Sequence, residues 1–196
     1  YALRANITKE EFIKEVTDGL VQPPQYFPYN VLMNLKGGVD SIDDIIARGM
    51  RELNPREFQA AWESLEAMVL DTRGKDVFAA MHIPGSVFIG LDDNFAPWAG
   101  TLITDLKQPI LFLADEGKEE EVIVRLSRVG YDNPVGFLKG GIWAWKEAGF
   151  DTTVLEEIDA ETFAALYDSG TEEVNLLDAR RKSEYEAEHL VGAENF

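Results

Sequence analysis

Short runs of consecutive apolar residues alternate along this chain with segments in which apolar residues recur every three or four positions. The runs are typical of buried strands, and the periodic segments are typical of helices. Strands are predicted at four runs, residues 68–70, 86–89, 109–113 and 135–138. Helices are predicted between them at residues 75–81, 118–129 and 142–148, with a helical or irregular stretch at 93–106. Because parallel strands need crossover connections, residues 53–150 are predicted to form an α/β fold, a parallel sheet of about five strands with helices on both faces.

Two further helices are predicted from the residues at which they begin. Thr8 and Glu11 have the spacing of a capping box, in which the side chains at the N-cap and at the third helical position bond each other's backbone N–H groups. Asn54 and Glu57 repeat that spacing, with Pro55 in the first turn, where its missing N–H has no cost. Helices are therefore expected to begin at both places.

Residues 21–38 are rich in proline, asparagine and aromatic residues. Pro23, Pro24 and Pro28 lie within six positions, which predicts an extended segment without regular structure that lies across another surface. Large apolar side chains are concentrated in this segment, namely Tyr26, Phe27, Tyr29, Leu32 and Met33. Together they would form an unusually large exposed patch, so we expect them to be covered.

An internal repeat relates the middle of the chain to its C-terminal part. The first set of repeated residues is Asp71, Arg73, Phe78, His82 and Gly85, and the second set is Asp178, Arg180, Tyr185, His189 and Gly192. Phe58 corresponds in the same way to Phe163. Such self-similarity predicts that a second domain of the same kind begins after the first. Three domains are predicted: residues 1–40, 41–150 and 151–196.

The order of motifs in the middle domain resembles the rhodanese (sulfurtransferase) family. The motifs are Asp-x-Arg at a strand end, a short helix, His-Ile-Pro-Gly-Ser at residues 82–86, and Gly-Gly-Ile-x-x-Trp-x-x-x-Gly at residues 140–149. Their order and spacing cover residues 53–150, and the repeat at residues 158–196 resembles the start of a second rhodanese-like domain. The resemblance implies a structural role for the repeated residues, including His82 and His189.

The N-terminal residues 7–38 resemble a different family. They are similar to the C-terminal tail of metallo-β-lactamase-fold thiol hydrolases of the persulfide dioxygenase and glyoxalase II group. This similarity implies that residues 1–40 are the tail of such a domain, and that the domain itself, with Zn or Fe, is a partner in the same parent chain. Its metal motif, His-x-His-x-Asp-His, is absent from these residues, so we expect no metal or other cofactor in them.

The rhodanese resemblance also locates a catalytic loop, of the form Cys-x-x-Gly-x-Arg, after the third strand. Alignment on Gly117 places Ala114 at the cysteine position and Glu119 at the arginine position, with Asp115, Glu116 and Lys118 at the remaining positions. The nucleophile and the cation of the family are thus both absent, and no catalytic residue is predicted. Each carboxylate within ~4 Å would cost an incoming anion about 1–4 kcal/mol, so thiosulfate and phosphate should be excluded.

The acidic residues of this loop have two interpretations. Acids in the first turn of a helix complement its dipole, at about 0.3–1 kcal/mol each. Alternatively, paired carboxylates could bind a cation or act as general acid and base.

Composition limits the partners that this chain is expected to have. The formal net charge of -18 would repel nucleic acids and anionic membranes, and no apolar run approaches the ~20 residues of a spanning helix. The absence of cysteine excludes disulfides and thiolate nucleophiles from these residues. We therefore expect a cytoplasmic protein without nucleic-acid or membrane partners. The sequence is also compatible with a homodimer.

Two functions are compatible with the sequence. The first is a non-catalytic rhodanese-like module in a metallo-β-lactamase-fold hydrolase–rhodanese fusion of sulfur and thiol metabolism. The parent protein would then be a metal-dependent hydrolase or dioxygenase. The alternative is a thiosulfate-type sulfurtransferase whose cysteine lies in the remainder of the second rhodanese-like domain.

Overall fold

The computed structural model describes residues 7–18, 26–37, 40–169 and 175–195. The chain divides into two compact units, which we call the N-terminal unit (Tyr1–Leu155) and the C-terminal unit (Glu156–Phe196). Within the described residues, no helix is both long and apolar enough to span a bilayer.

The N-terminal unit contains a parallel sheet of five strands, as the sequence predicts. In chain order the strands are β1 (Glu52–Leu53), β2 (Met68–Asp71), β3 (Val87–Phe88), β4 (Ile110–Leu113) and β5 (Pro134–Leu138). Their order across the sheet is β1-β5-β4-β2-β3, and every neighbouring pair is parallel. The central strand β4 is buried along its whole length.

Helices cover both faces of this sheet, which confirms the predicted α/β class. The described helices of this unit are α1 (Lys9–Thr17), α2 (Tyr26–Lys36), α3 (Ile42–Gly49), α4 (Pro55–Leu65), α5 (Lys75–Ala80), α6 (Phe95–Leu102), α7 (Glu119–Ser127) and α8 (Gly141–Glu147), of which α1 has no buried residue. Because successive strand residues point to opposite faces, Ile110 and Phe112 of β4 pack under α3, α6 and α7, whereas Leu111 and Leu113 pack under α4 and α8. The core therefore has two layers, one on each face of the sheet.

The capping boxes predicted at Thr8 and Asn54 are both present. The Thr8 hydroxyl accepts the Glu11 N–H, and the Glu11 carboxylate accepts the Thr8 N–H. The Asn54 side chain accepts the Glu57 N–H, and the Glu57 carboxylate accepts the Asn54 N–H. The helices α1 and α4 thus begin where the sequence indicates.

The prediction of an extended segment at residues 21–38 is wrong for its larger part. Tyr26–Lys36 is the helix α2, whereas residues 21–25 and 38 lie outside the described residues. Pro28 is compatible with the helix because it occupies the first turn, where backbone N–H groups have no intrahelical acceptor. Tyr26 is buried in the core as expected, but Phe27 and Leu32 are half exposed.

The C-terminal unit repeats the beginning of the N-terminal sheet. Its elements are α9 (Ala160–Ser169), β6 (Leu177–Asp178), α10 (Lys182–Ala187) and β7 (Glu194–Asn195). The strands β6 and β7 are parallel, with Leu177 opposite Glu194 and Asp178 opposite Asn195. In the N-terminal unit, Leu70 lies opposite Val87 and Asp71 opposite Phe88, so the two registers agree. Phe196, the last residue of the predicted repeat, lies outside the described residues.

Candidate functional site

A cavity of about 550 Å³ lies at the edge of the N-terminal sheet where its strands end. In parallel α/β sheets this carboxyl edge is the usual place for ligands. Four strands contribute to the wall: Glu52 from β1, Arg73 after β2, the loop after β4, and Lys139 after β5. The remaining wall comes mainly from α8 and from Gly140, which precedes it, with Trp143 exposed.

The loop after β4 lines part of this cavity and carries the predicted positions 114–119. The Asp115 carbonyl accepts the Lys118 N–H at 2.9 Å, which closes a tight turn. Gly117 adopts a φ of 81°, in the left-handed region that a type II turn requires at its third residue. Helix α7 begins directly afterwards at Glu119. Four of the six predicted loop residues, namely Ala114, Asp115, Glu116 and Glu119, line this cavity, and Gly117 and Lys118 do not.

The cavity contains no nucleophile of the kind that sulfur transfer requires. Ala114 presents only a methyl group, which packs against the core beneath the loop. The lining side chains offer no thiol, because the sequence has no cysteine. A persulfide therefore has no atom in this loop to which it could be bonded.

The charged side chains that line the cavity carry an excess of negative charge. Arg73 is committed to Asp71, whose carboxylate accepts its Nε–H at 2.9 Å and its Nη2–H at 2.6 Å. Lys139 is paired with Glu52 at 2.6 Å. Asp115, Glu116 and Glu119 form no ion pair within the described part of the chain, so their charges are not compensated by neighbouring cations.

The acids of the first turn of α7 differ from one another in their partners. Glu121 accepts hydrogen bonds from Lys118 at 2.8 Å and from Arg125, and these bonds lower the pKa of its carboxyl group. The pKa of Lys118 is raised by the same contact with Glu121. Glu121 thus stabilises α7 locally, while Glu119 lines the cavity.

The residues Asp71, Arg73 and His82 are buried, and of the three Arg73 lines the cavity. Besides its two bonds to Asp71, Arg73 donates to the Met81 carbonyl at 2.9 Å. The Nδ1 atom of His82 lies 2.9 Å from the Phe78 carbonyl, which can only accept, so Nδ1 carries the proton. The imidazole also stacks on the Phe78 ring at 4.0 Å. These contacts fix the connection between α5 and β3.

The C-terminal unit reproduces these contacts one by one. Arg180 donates its Nε–H to Asp178 at 2.9 Å and its Nη2–H to the Glu188 carbonyl at 2.7 Å. His189 bonds the Tyr185 carbonyl at 2.8 Å and stacks on the Tyr185 ring at 3.9 Å. Gly85 and Gly192 follow with φ values of 81° and 87°. The repeat seen in the sequence is thus a repeat of geometry.

The Asp178–Arg180 pair makes a testable prediction about pH. Hydrogen bonds from the Arg180 side chain and backbone lower the pKa of Asp178 to about 2. A depressed carboxyl pKa stabilises the folded unit above the unfolded value of about 3.9, and this contribution is lost as the pH falls from about 4 towards 2. A carboxyl NMR titration should give a midpoint near 2 for Asp178, and Arg180→Gln should raise it towards 3.9. A midpoint near 4 in the unmodified protein would contradict the pairing.

Metal ligands are not grouped within the described residues. No cluster of three or more histidine, aspartate or glutamate side chains is placed to hold a metal ion there. The Zn or Fe implied by the metallo-β-lactamase resemblance therefore does not fit any described site of this chain.

Several residues of the cavity were not predicted from the sequence. Glu52 was missed because β1 has only two residues, too few to produce a recognisable apolar run. Lys139 could have been identified, because it directly follows the predicted strand at residues 135–138.

Comparison with known proteins shows what part of the N-terminal unit is similar to. Residues 54–148 match the family described as "Rhodanese-like domain". A comparison with proteins of curated function found no match.

Solved structures with similar folds include rhodanese-like domains. A Rhodanese_3-like domain from Anabaena sp. is 23% identical, with a TM-score of 0.42, covering 48% of this chain and 98% of that domain. Thiosulfate sulfurtransferase from Pseudomonas aeruginosa is 21% identical, with a TM-score of 0.44, covering 88% of this chain and 36% of that protein. A metallo-beta-lactamase from Staphylococcus aureus is 19% identical, with a TM-score of 0.51, covering 68% of this chain and 36% of that protein. Of these three structures only the metallo-beta-lactamase has a TM-score above 0.5, and at 19% identity that similarity bears on the fold alone.

Proposed function

We propose that residues 54–148, which match the rhodanese-like family, are a non-catalytic module of a larger enzyme of sulfur and thiol metabolism. The observation that carries the proposal is Ala114, which occupies the nucleophile position of the loop beside the cavity. The module binds and orients rather than transferring sulfur itself.

The chemistry of sulfane sulfur transfer supports this assignment. A thiolate must attack the donor and hold the transferred sulfur as a persulfide, and a cation or backbone N–H groups must cradle the anionic donor. Here Ala114 cannot form the bond, and Glu119 repels the donor. Arg73 cannot replace the missing cation because Asp71 already neutralises it at 2.6 Å.

The parent enzyme in this proposal is a metallo-β-lactamase-fold hydrolase or dioxygenase. Support comes from the resemblance of residues 7–38 to the tail of that fold. In the structure, α2 packs its buried Tyr26 into the core of the N-terminal unit, while Phe27, Val31 and Leu35 stay exposed on another side of the helix. A helix with apolar side chains on two sides suits a position between two domains. The metal, Zn or Fe, would belong to that other domain.

The test is thiosulfate:cyanide sulfurtransferase activity of the purified chain. We expect no thiocyanate formation above the uncatalysed rate. Ala114→Cys alone should stay inactive because the loop remains acidic, whereas Ala114→Cys with Glu119→Arg should give measurable turnover. The matched control is Ala114→Ser with Glu119→Arg, which has the cation but no sulfur nucleophile and should be inactive. Turnover by the unmodified chain would refute the proposal.

An active sulfurtransferase is the second candidate. It is favoured by the geometric repeat of Asp71, Arg73 and His82 at Asp178, Arg180 and His189. In this reading the C-terminal unit begins a second domain whose loop carries the cysteine. Thiocyanate formation by the full-length parent protein, abolished by iodoacetamide, would support it, and its absence would exclude it.

A further inference from the structure

Another cavity, of about 400 Å³, is lined by residues of α2, α3 and α7 and of the connection between α7 and β5. We call it the α2 cavity. It shares no lining residue with the cavity at the carboxyl edge of the sheet. Its volume lies in the range of small-molecule sites, about 300–1,000 Å³. Met33, Ile45 and Val124 contribute apolar surface to its lining, and Ile45 belongs to the buried core.

Polar side chains of the α2 cavity do not satisfy one another's hydrogen bonds. The Ser127 Oγ atom is buried, and no described group completes a hydrogen bond of normal geometry with it. The carboxamide of Asn30, a half-buried residue of α2, has no hydrogen-bond partner among the described residues. Because polar groups withdrawn from solvent nearly always have partners, these two groups point to a bound molecule that supplies the missing bonds.

The α2 cavity also contains two opposite charges without an ion-pair partner among the described residues, Asp132 and Arg128. The nearby Arg48 pairs with Asp40 at 3.1 Å and donates to the Asp132 carbonyl rather than to its carboxylate. Burial is the main cause that raises the pKa of the Asp132 carboxyl group. The Asp40 charge raises it further, whereas Ser127 and Arg48 lower it. A cation bound beside Asp132 would therefore stabilise a half-buried carboxylate.

We propose that the α2 cavity binds a free α-amino acid with an apolar side chain. The ammonium group of the ligand pairs with the Asp132 carboxylate, and its carboxylate pairs with Arg128, whose guanidinium can offer two parallel N–H donors. The Asn30 carboxamide can both donate and accept, so it bonds either charged group. The apolar side chain of the ligand lies against Ile45 and Val124, where its burial favours binding.

The two unpaired charges favour a zwitterion over a simple ion. A simple anion would face the carboxylates of Asp40 and Asp132 at the same time, and like charges repel. A simple amine would leave the Arg128 guanidinium without a partner. An α-amino acid carries both charges on one carbon atom, so a single small ligand satisfies Asp132 and Arg128 together.

The experiment is an NMR titration of the whole chain with L-leucine and with two analogues that each lack one charge. Leucine should shift the amide signals of residues 127–132 saturably. The analogue 4-methylpentanoate lacks the ammonium group, and 3-methylbutylamine lacks the carboxylate, so each should bind about tenfold more weakly or less. Binding of either analogue as tight as that of leucine would overturn the proposal. Shifts that do not saturate, or that lie elsewhere, would overturn it as well, because the cavity would then hold water only.

Charge-removing variants test which group meets which residue. Asp132→Asn should weaken leucine binding about tenfold and leave 4-methylpentanoate binding unchanged. Arg128→Gln should weaken leucine binding and leave 3-methylbutylamine binding unchanged. The matched controls are Asp76→Asn and Arg56→Gln, which change exposed residues outside the cavity and should leave leucine binding unchanged. If a cavity variant weakens all three ligands equally, it disturbs the fold rather than one contact, and the assignment is wrong.

The Asp132 carboxyl group gives a readout that needs no variant. An ammonium group beside a carboxylate favours the ionised form, so saturating leucine should lower the pKa of Asp132. A carboxyl NMR titration with and without leucine measures this shift, and 4-methylpentanoate should not lower the midpoint. An Asp132 midpoint that leucine leaves unchanged would contradict the proposed contact.

Discussion

Replacing Phe112 by alanine should lower the free energy of unfolding of the N-terminal unit by about 3–5 kcal/mol. Phe112 lies in the central strand β4 and has no exposed surface. Its ring packs in the core cluster on the α7 face and lies 5.9 Å from the ring of Phe137. Because the core is closely packed, the surrounding side chains have little freedom to fill the space that the ring leaves. The loss of stability therefore includes both the lost hydrophobic burial and the cost of the new void.

Tryptophan fluorescence in urea is the measurement for this variant. All four tryptophans lie in the N-terminal unit, at positions 62, 98, 143 and 145, so their signal reports on that unit. The control is Phe27→Ala, because Phe27 is 50% exposed on α2 and should change the stability by less than about 0.5 kcal/mol. Equal losses for both variants would show that β4 is not the centre of the core.

The sheet was largely predictable because its inner strands are buried on both faces. The strands β2, β4 and β5 each appear as an apolar run, and the sequence places them to within one or two residues. The edge strand β1 has only two residues and gives no such run. Helix α3 was missed as well, although Ser41 caps it by accepting the Asp44 N–H. Short elements at an edge depend on tertiary contacts that a local pattern does not contain.

Proline misled the prediction for residues 21–38 because its effect depends on position. The same residue that breaks a helix in its interior is tolerated in the first turn, where Pro28 lies. The sequence gives the number of prolines but not the point at which the helix begins. That point depends on the burial of Tyr26 against the N-terminal unit's core, which is a tertiary contact.

Some features of the candidate site could be predicted from neighbouring residues in the sequence, whereas others depend on contacts between residues far apart in the chain. The loop at residues 114–119 could be located from its place after β4 and from Gly117, whose turn requires a positive φ. Its electrostatics could not be obtained from the same residues. Whether Arg73 is available to an anion depends on its bidentate contact with Asp71, and whether Lys139 is available depends on Glu52, 87 positions earlier in the chain.

The repeated Asp–Arg pair provides the second large prediction. Asp71→Ala should destabilise the N-terminal unit by about 3–5 kcal/mol, because it leaves the Arg73 guanidinium buried without a counter-charge. The Arg73 side chain is 6% exposed, and its only other described hydrogen bond goes to the Met81 carbonyl. Asp71→Asn keeps a hydrogen-bond acceptor but removes the charge, so its loss of stability should lie between zero and that of Asp71→Ala.

The matched control is the Arg48–Asp40 pair of the same unit, which has an N–O distance of 3.1 Å, against 2.6 Å for Arg73–Asp71, and lies at the surface. Exposed ion pairs contribute about 0–1 kcal/mol, so Asp40→Ala should change the tryptophan-monitored unfolding only slightly. Asp178→Ala should leave that transition unchanged, because all four tryptophans belong to the other unit. If Asp71→Ala proves as mild as Asp40→Ala, water must reach Arg73, and the Asp71–Arg73 pair would be a solvated contact rather than a buried structural one.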